Sequence, residues 1–145
     1  MTKTRILALL VVIAHWLIAI WHLFLTAKIL PAPNNTVSWQ GIMFITLGHL
    51  LLSIVLWKLS DKVSGLISLL FFLAVGAAEV YEHFVHPALN NVFMVRPGNW
   101  THLWEVSVFG LLAFEILGCL LGILLLTGRY GNNRNFQVSN HSIGS

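Results

Sequence analysis

The sequence predicts an all-α integral membrane protein, a bundle of four transmembrane helices with both termini in the cytoplasm. Three observations carry that reading. Hydrophobic residues make up 57% of the 145 and charged residues only 9%, against about 25% charged in a typical soluble domain. Four long apolar stretches occupy residues 6–30, 39–57, 63–85 and 103–127. The few basic residues collect at the ends of those stretches, mostly on one side. So small a charged fraction could not cover a soluble domain, and so apolar a chain is not disordered.

Each stretch reaches or exceeds the ~20 residues that a helix needs to cross a hydrocarbon core. Backbone in lipid must satisfy its own hydrogen bonds, which makes each stretch a helix. Barrel strands would alternate in polarity over about ten residues, and these stretches do not. The first stretch follows Lys3 and Arg5, as a signal peptide would. It is longer than the usual apolar region of such peptides and no A-x-A site follows it, so it is read as a span. Residues 1–130 are thus the transmembrane domain. The tail 131–145, rich in Asn, Ser and Gly, is expected to be disordered.

The charges orient the bundle. Lys3, Arg5, Lys58, Lys62, Arg129 and Arg134 fall on one side, and Lys28 and Arg96 on the other. Positively charged flanks stay in the cytoplasm, which puts the protein N-in and C-in, in the plasma membrane if the host is bacterial. The net charge of +3 belongs to these flanks. It implies anionic lipid headgroups as partners and no nucleic acid. Trp39, Trp57, Trp100 and Trp104 lie near the expected interfaces as an aromatic belt. A chain this small also fits a homo-oligomer or one subunit of a larger membrane complex. Single Cys119 permits no internal disulfide. The triplets Asn34-Asn35-Thr36 and Asn99-Trp100-Thr101 match the glycosylation acceptor pattern, which has meaning only in a secretory pathway.

One internal echo stands out. Pro31-Ala32-Pro33-Asn34-Asn35 follows the first helix and Pro87-Ala88-Leu89-Asn90-Asn91 follows the third, with Trp39 and Trp100 opening the return helices. Two duplicated helical hairpins would produce this. So would the ordinary use of Pro and Asn at helix ends.

The polar residues inside the spans carry the functional reading. Four of the five acids, Glu79, Glu82, Glu105 and Glu115, fall within the stretches, as do His15, His22, His49 and His83. His86 and His102 stand at their outer ends. A charged group at the bilayer centre costs ~2.5 kcal/mol or more, so such residues face a bundle interior and mark function. By depth they form two layers. An outer layer holds His22, Glu79, Glu82, His83, His86, His102 and Glu105. A middle layer holds His15, His49 and Glu115. Glu115 shares a helical face with Gly118 and Gly122, a spacing that permits close helix approach, so it is expected at a helix contact.

Glu79, Glu82, His83 and His86 have i, i+3, i+4, i+7 spacing, one face of a helix. His102 and Glu105 begin the next helix from the same side. Imidazole with carboxylate suits Fe, Cu or Zn, and bundle metal sites use Glu and His projecting from facing helices. The reading is an outward-facing site that binds a transition metal, in a redox or metal-handling role. Glu79, His83 and His86 would be ligands, with His102 and Glu105 across from them. Glu82 and His22 would be supporting or additional ligands. Two alternatives remain open. A single b-type haem could be held by His15 and His49, at similar depth on different helices. Without any metal, Glu79, His83 and Glu105 could serve acid–base isomerisation, or binding, of a lipid-like molecule. Whether the protein is an enzyme is not readable from these residues.

The orientation is testable. In a bacterial host, a fluorescent-protein fusion after Ser145 should fluoresce, and an alkaline-phosphatase fusion after Met94 should be active. The opposite pattern would invert the topology.

Overall fold

The computed structural model describes residues 1–30, 36–37 and 39–128. Among these residues four α-helices carry the fold: α1 (Lys3–Ile29), α2 (Trp39–Lys58), α3 (Asp61–Val80) and α4 (Thr101–Thr127). A π-helical turn, Tyr81–Val85, extends α3. With that turn included, all four helices are long and apolar enough to cross a membrane. The expected stretches coincide with the helices to within a few residues. The Pro31–Asn35 half of the internal echo, Arg129, Arg134 and the 131–145 tail lie outside the described residues.

Local chemistry sets the helix ends. The Thr2 hydroxyl accepts from the Arg5 amide and the Ser60 hydroxyl from the Val63 amide, each capping free N–H groups of a first turn. Gly128 closes α4 with φ of 62°, a left-handed conformation that suits glycine. The end of the bundle that holds the α2–α3 turn is clamped by Arg5. Its guanidinium pairs with Asp61 at 3.2 Å and donates to the Leu59 carbonyl. Ser64 Oγ donates to the Val55 carbonyl at 3.0 Å, tying α3 back to α2.

Helix α4 is the spine. It packs along α3 and α1, whereas α2 attaches mainly through α1. The α3–α4 seam is made of small residues. A Cβ built on Gly65 would stand 2.6 Å from the Gly122 carbonyl oxygen, and one built on Gly122 would stand 2.9 Å from the Gly65 carbonyl oxygen. The two backbones therefore touch, as the Gly118/Gly122 spacing led us to expect. Gly118 admits the ring of Phe72. Around this seam lies an apolar core of Ala8, Val11, Val12, Leu52, Leu56, Phe72, Leu121 and Leu125. A second cluster, Leu25, Trp104 and Val108, closes the opposite end. Between the two clusters lie the polar layers.

Trp104 corrects the aromatic-belt expectation. Trp39, Trp57 and Trp100 are exposed, but Trp104 is 0% exposed. Its indole N–H donates to Thr26 Oγ1 on α1 at 3.1 Å, which satisfies the one polar atom of a buried ring.

The seam generates a stability test. Gly65→Ala and Gly122→Ala should each destabilise the bundle by about 1–3 kcal/mol through overpacking. Gly110→Ala should be neutral or stabilising by up to about 1 kcal/mol, because its Cβ would meet nothing nearer than Ile18 at 3.9 Å. Denaturation of the detergent-solubilised variants by SDS, followed by circular dichroism, measures the difference.

Candidate metal centre

His22 of α1 and Glu79 and His83 of the α3 rod converge between the two apolar clusters. Each offers one ligand atom, and the three atoms lie within 4.8 Å of one another. Both histidines are buried and Glu79 is half-buried. The rings of His22 and His83 meet edge to face, 4.9 Å between centroids, and the Trp104 ring packs against both.

The hydrogen bonds assign the Nδ1 proton of each imidazole. His83 Nδ1 faces the Asn90 carbonyl at 2.9 Å. A carbonyl can only accept, so Nδ1 carries the proton. In the neutral ring, Nε2 is then a bare lone pair, and it points at Glu79 Oε2, 3.0 Å away. That oxygen is buried and has no hydrogen-bond donor aligned with it. Two acceptors at contact distance require a cation or a proton between them.

His22 sits in a closed circuit. Ser107 Oγ donates to the Trp104 carbonyl at 2.6 Å, so it accepts from His22 Nδ1–H at 2.9 Å. His22 Nε2 is then an acceptor, and it takes the Thr26 hydroxyl proton at 3.2 Å. Thr26 Oγ1 in turn accepts from the Trp104 indole, so the circuit begins and ends on Trp104.

The connection that follows α3 holds His83 in place. Val92 N–H donates to the His83 carbonyl at 2.8 Å, and buried Asn91 donates from its side chain to the His86 carbonyl at 2.9 Å. A π-turn is a frequent feature of functional sites, and here it spans His83 itself. The ligand group borders a cavity of about 490 Å³ between α1, α2 and α3, whose wall also includes Phe44, Ala78 and Glu82.

The other sequence-predicted ligands are placed elsewhere. His86 leaves the helix in extended conformation, φ −69° and ψ 126°. Pro87 follows it, and the residue before proline is driven out of the helical region. It stands 3.9 Å from Glu82, on a half-exposed pair outside the group. His102 is exposed and Glu105 half-buried. The buried face of α4 instead presents Trp104, Ser107 and Val108. With 3.6 residues per turn, Glu105 lies about 80° and His102 about 140° around the helix from Glu115. Counting back from the Glu115–Gly118–Gly122 face would have revealed this in the sequence. His22, expected as a supporting or additional ligand, is a member of the group itself.

The middle layer also forms. His15 Nδ1 bonds His49 Nε2 at 2.7 Å, and His15 Nε2 stands 3.3 Å from Glu115 Oε1. His49 Nδ1 donates to the Ile45 carbonyl at 2.7 Å. The two rings stack, 5.0 Å between centroids. Axial ligands of one haem stand on opposite sides of the iron, two metal–nitrogen bonds apart. Imidazoles in direct contact across 2.7 Å do not have that arrangement, and His15 and His49 offer haem no seat here.

Comparison with protein-family models, with curated proteins and with solved structures finds no match. The geometry therefore carries the functional reading alone.

The circuit around His22 makes a prediction. Ser107→Ala leaves a buried imidazole N–H without an acceptor and should cost about 1–3 kcal/mol. Ser53→Ala should stay within about 0.5 kcal/mol, since Ser53 Oγ only bonds back to the His49 carbonyl of its own helix. Parallel SDS denaturation curves compare the two.

Proposed function

We propose that this is a small polytopic membrane protein that binds one transition-metal ion at His22, Glu79 and His83. The observation that carries the reading is the convergence of three ligand atoms, one each from His22, Glu79 and His83, within 4.8 Å of one another, with the buried Glu79 Oε2 3.0 Å from His83 Nε2. A metal cation takes both lone pairs. His22 supplies the third donor through Nε2, whose lone pair Thr26 otherwise holds. Two imidazoles and one carboxylate suit Fe(II), Zn or Cu. Three protein ligands leave coordination positions free, which is the pattern of reactive or exchangeable centres and not of closed structural ones. The neighbouring cavity gives a small ligand or a passing ion room to occupy them.

The supporting contacts match what metal ligands require. A ligating histidine donates its other N–H to a fixed acceptor. His83 donates to the Asn90 carbonyl and His22 to Ser107 Oγ. In the proposed orientation, with the α2–α3 turn in the cytoplasm, the centre lies in the outer half of the bilayer. Its role is redox chemistry or metal handling.

The Glu79–His83 contact supports a second reading. Without metal, a single proton shared between Oε2 and Nε2 makes the pair an acid–base couple facing the same cavity. Metal content separates the two. Elemental analysis of the full chain purified in detergent should find about one equivalent of Fe, Cu or Zn. Glu79→Gln and His83→Ala should each weaken metal affinity by at least about 100-fold, the upper end of what loss of a supporting partner alone costs. Glu82→Gln and His102→Ala should leave it unchanged. Metal-free wild-type protein that takes up none of the three ions would overturn the metal reading in favour of the acid–base pair.

A further inference from the structure

A second site lies on the other side of α3, independent of the metal centre. A groove of about 790 Å³ runs between α3 and α4, lined by Phe72, Gly76, Tyr81, Val85, Ile116 and Cys119 among others. Its wall is apolar except at Glu115, the Tyr81 phenol and the Cys119 thiol, and neither of those two is a hydrogen-bond partner of the Glu115 carboxylate. Glu115 is 3% exposed, and its Oε2 has no hydrogen-bond partner. Gly76 makes the room: a Cβ there would stand 3.1 Å from Oε2.

Proton counting defines what Oε2 lacks. His49 Nδ1 donates to Ile45, and His15 Nδ1 donates to His49 Nε2. His15 Nε2 is therefore an acceptor facing Glu115 Oε1, and one proton must lie between them. Whether it resides on the carboxyl or on the imidazole, Oε2 remains an acceptor with nothing to accept. Neither state gives it a donor from the protein. What Oε2 lacks is a hydrogen-bond donor, which an otherwise apolar molecule in the groove would supply.

The place of Glu115 narrows the class. It lies near the middle of α4, level with Gly76, and the groove continues about 13 Å further along α3, to Val85, at 1.5 Å per residue. An ordinary phospholipid keeps its polar group at the interface and would bring only a hydrocarbon end to Glu115. A long-chain alcohol with no other polar group can carry its hydroxyl to that depth. We propose that the α3–α4 groove binds an elongated membrane-soluble alcohol, isoprenoid-like in size, whose hydroxyl donates to Glu115 Oε2. Its volume falls in the range of small-molecule sites, about 300–1,000 Å³.

Farnesol and farnesyl methyl ether test this, since they differ in the one O–H. Binding to the full chain in detergent is read by native mass spectrometry. Its position is read by protection of Cys119, the only cysteine of the chain and part of the groove wall, from N-ethylmaleimide. At ten times its Kd, farnesol should slow Cys119 alkylation about tenfold, as mass action requires. The ether at the same concentration should leave the rate unchanged. Glu115→Leu should abolish protection by farnesol. Ala77→Phe, which fills the groove from an exposed position away from the His15–Glu115 contact, should abolish the adduct. This second variant and the ether comparison decide the matter even where Glu115→Leu fails to fold. Equal protection by alcohol and ether would show a groove that accepts any chain, and would overturn the proposal. Absence of a farnesol adduct, or protection that survives in either variant, would overturn it too. So would a dimeric protein whose Cys119 is already unreactive before farnesol is added, since a second copy would then cover the groove.

Discussion

Everything polar in this bundle depends on the contact of two backbones at Gly65 and Gly122. Where those residues meet, α3 and α4 approach as closely as helices can. The approach fixes the axial register of the two helices. It sets Phe72 over Gly118 and Gly76 beside Glu115. Two turns further on, it brings His83 against Trp104. Neither site includes the seam, but each is measured out from it along a rigid rod. Helix α1 then needs only to lay His15 and His22, two turns apart, against the same face.

The two polar layers are held by the same rule in different ways. Apolar surroundings make an unpaired polar group expensive, so each imidazole must find a donor or acceptor within the bundle. The chain meets that demand with local groups: the Ile45 and Asn90 carbonyls and the hydroxyls of Ser107 and Thr26. Among the described residues, three buried side-chain oxygens are left over, on Ser68, Glu79 and Glu115. In a chain otherwise so thorough, the two carboxylate oxygens stand out. Each belongs to a residue that lines a cavity, and the two cavities lie on different sides of α3.

The fold was legible in the sequence because length and apolarity decide it. Nothing but a helix satisfies 20 or more consecutive backbone amides in lipid. The middle layer was legible as well, since His15, His49 and Glu115 have few alternatives at that depth. The outer layer was harder. Depth comes from counting residues, whereas the face a residue presents depends on helix rotation. The i+7 rule put His86 beside Glu79, but Pro87 ended the helix first. His102 and Glu105 had the right depth on the wrong face of α4. Ser107 and Thr26 went unremarked because hydroxyls in a span are common, and Trp104 was read as part of the aromatic belt. Only the packed structure shows that they close a circuit around His22.

That circuit has a direction. An indole nitrogen can only donate and a backbone carbonyl can only accept, so the loop from Trp104 through Thr26, His22 and Ser107 back to Trp104 runs one way. Reversal would need a group that plays both parts at the ends, and none is there. His22 is consequently held as a single tautomer, while the His15–His49 row ends on a carboxyl whose second oxygen no hydrogen bond holds. One layer of the bundle closes on itself; the other stops at an open end.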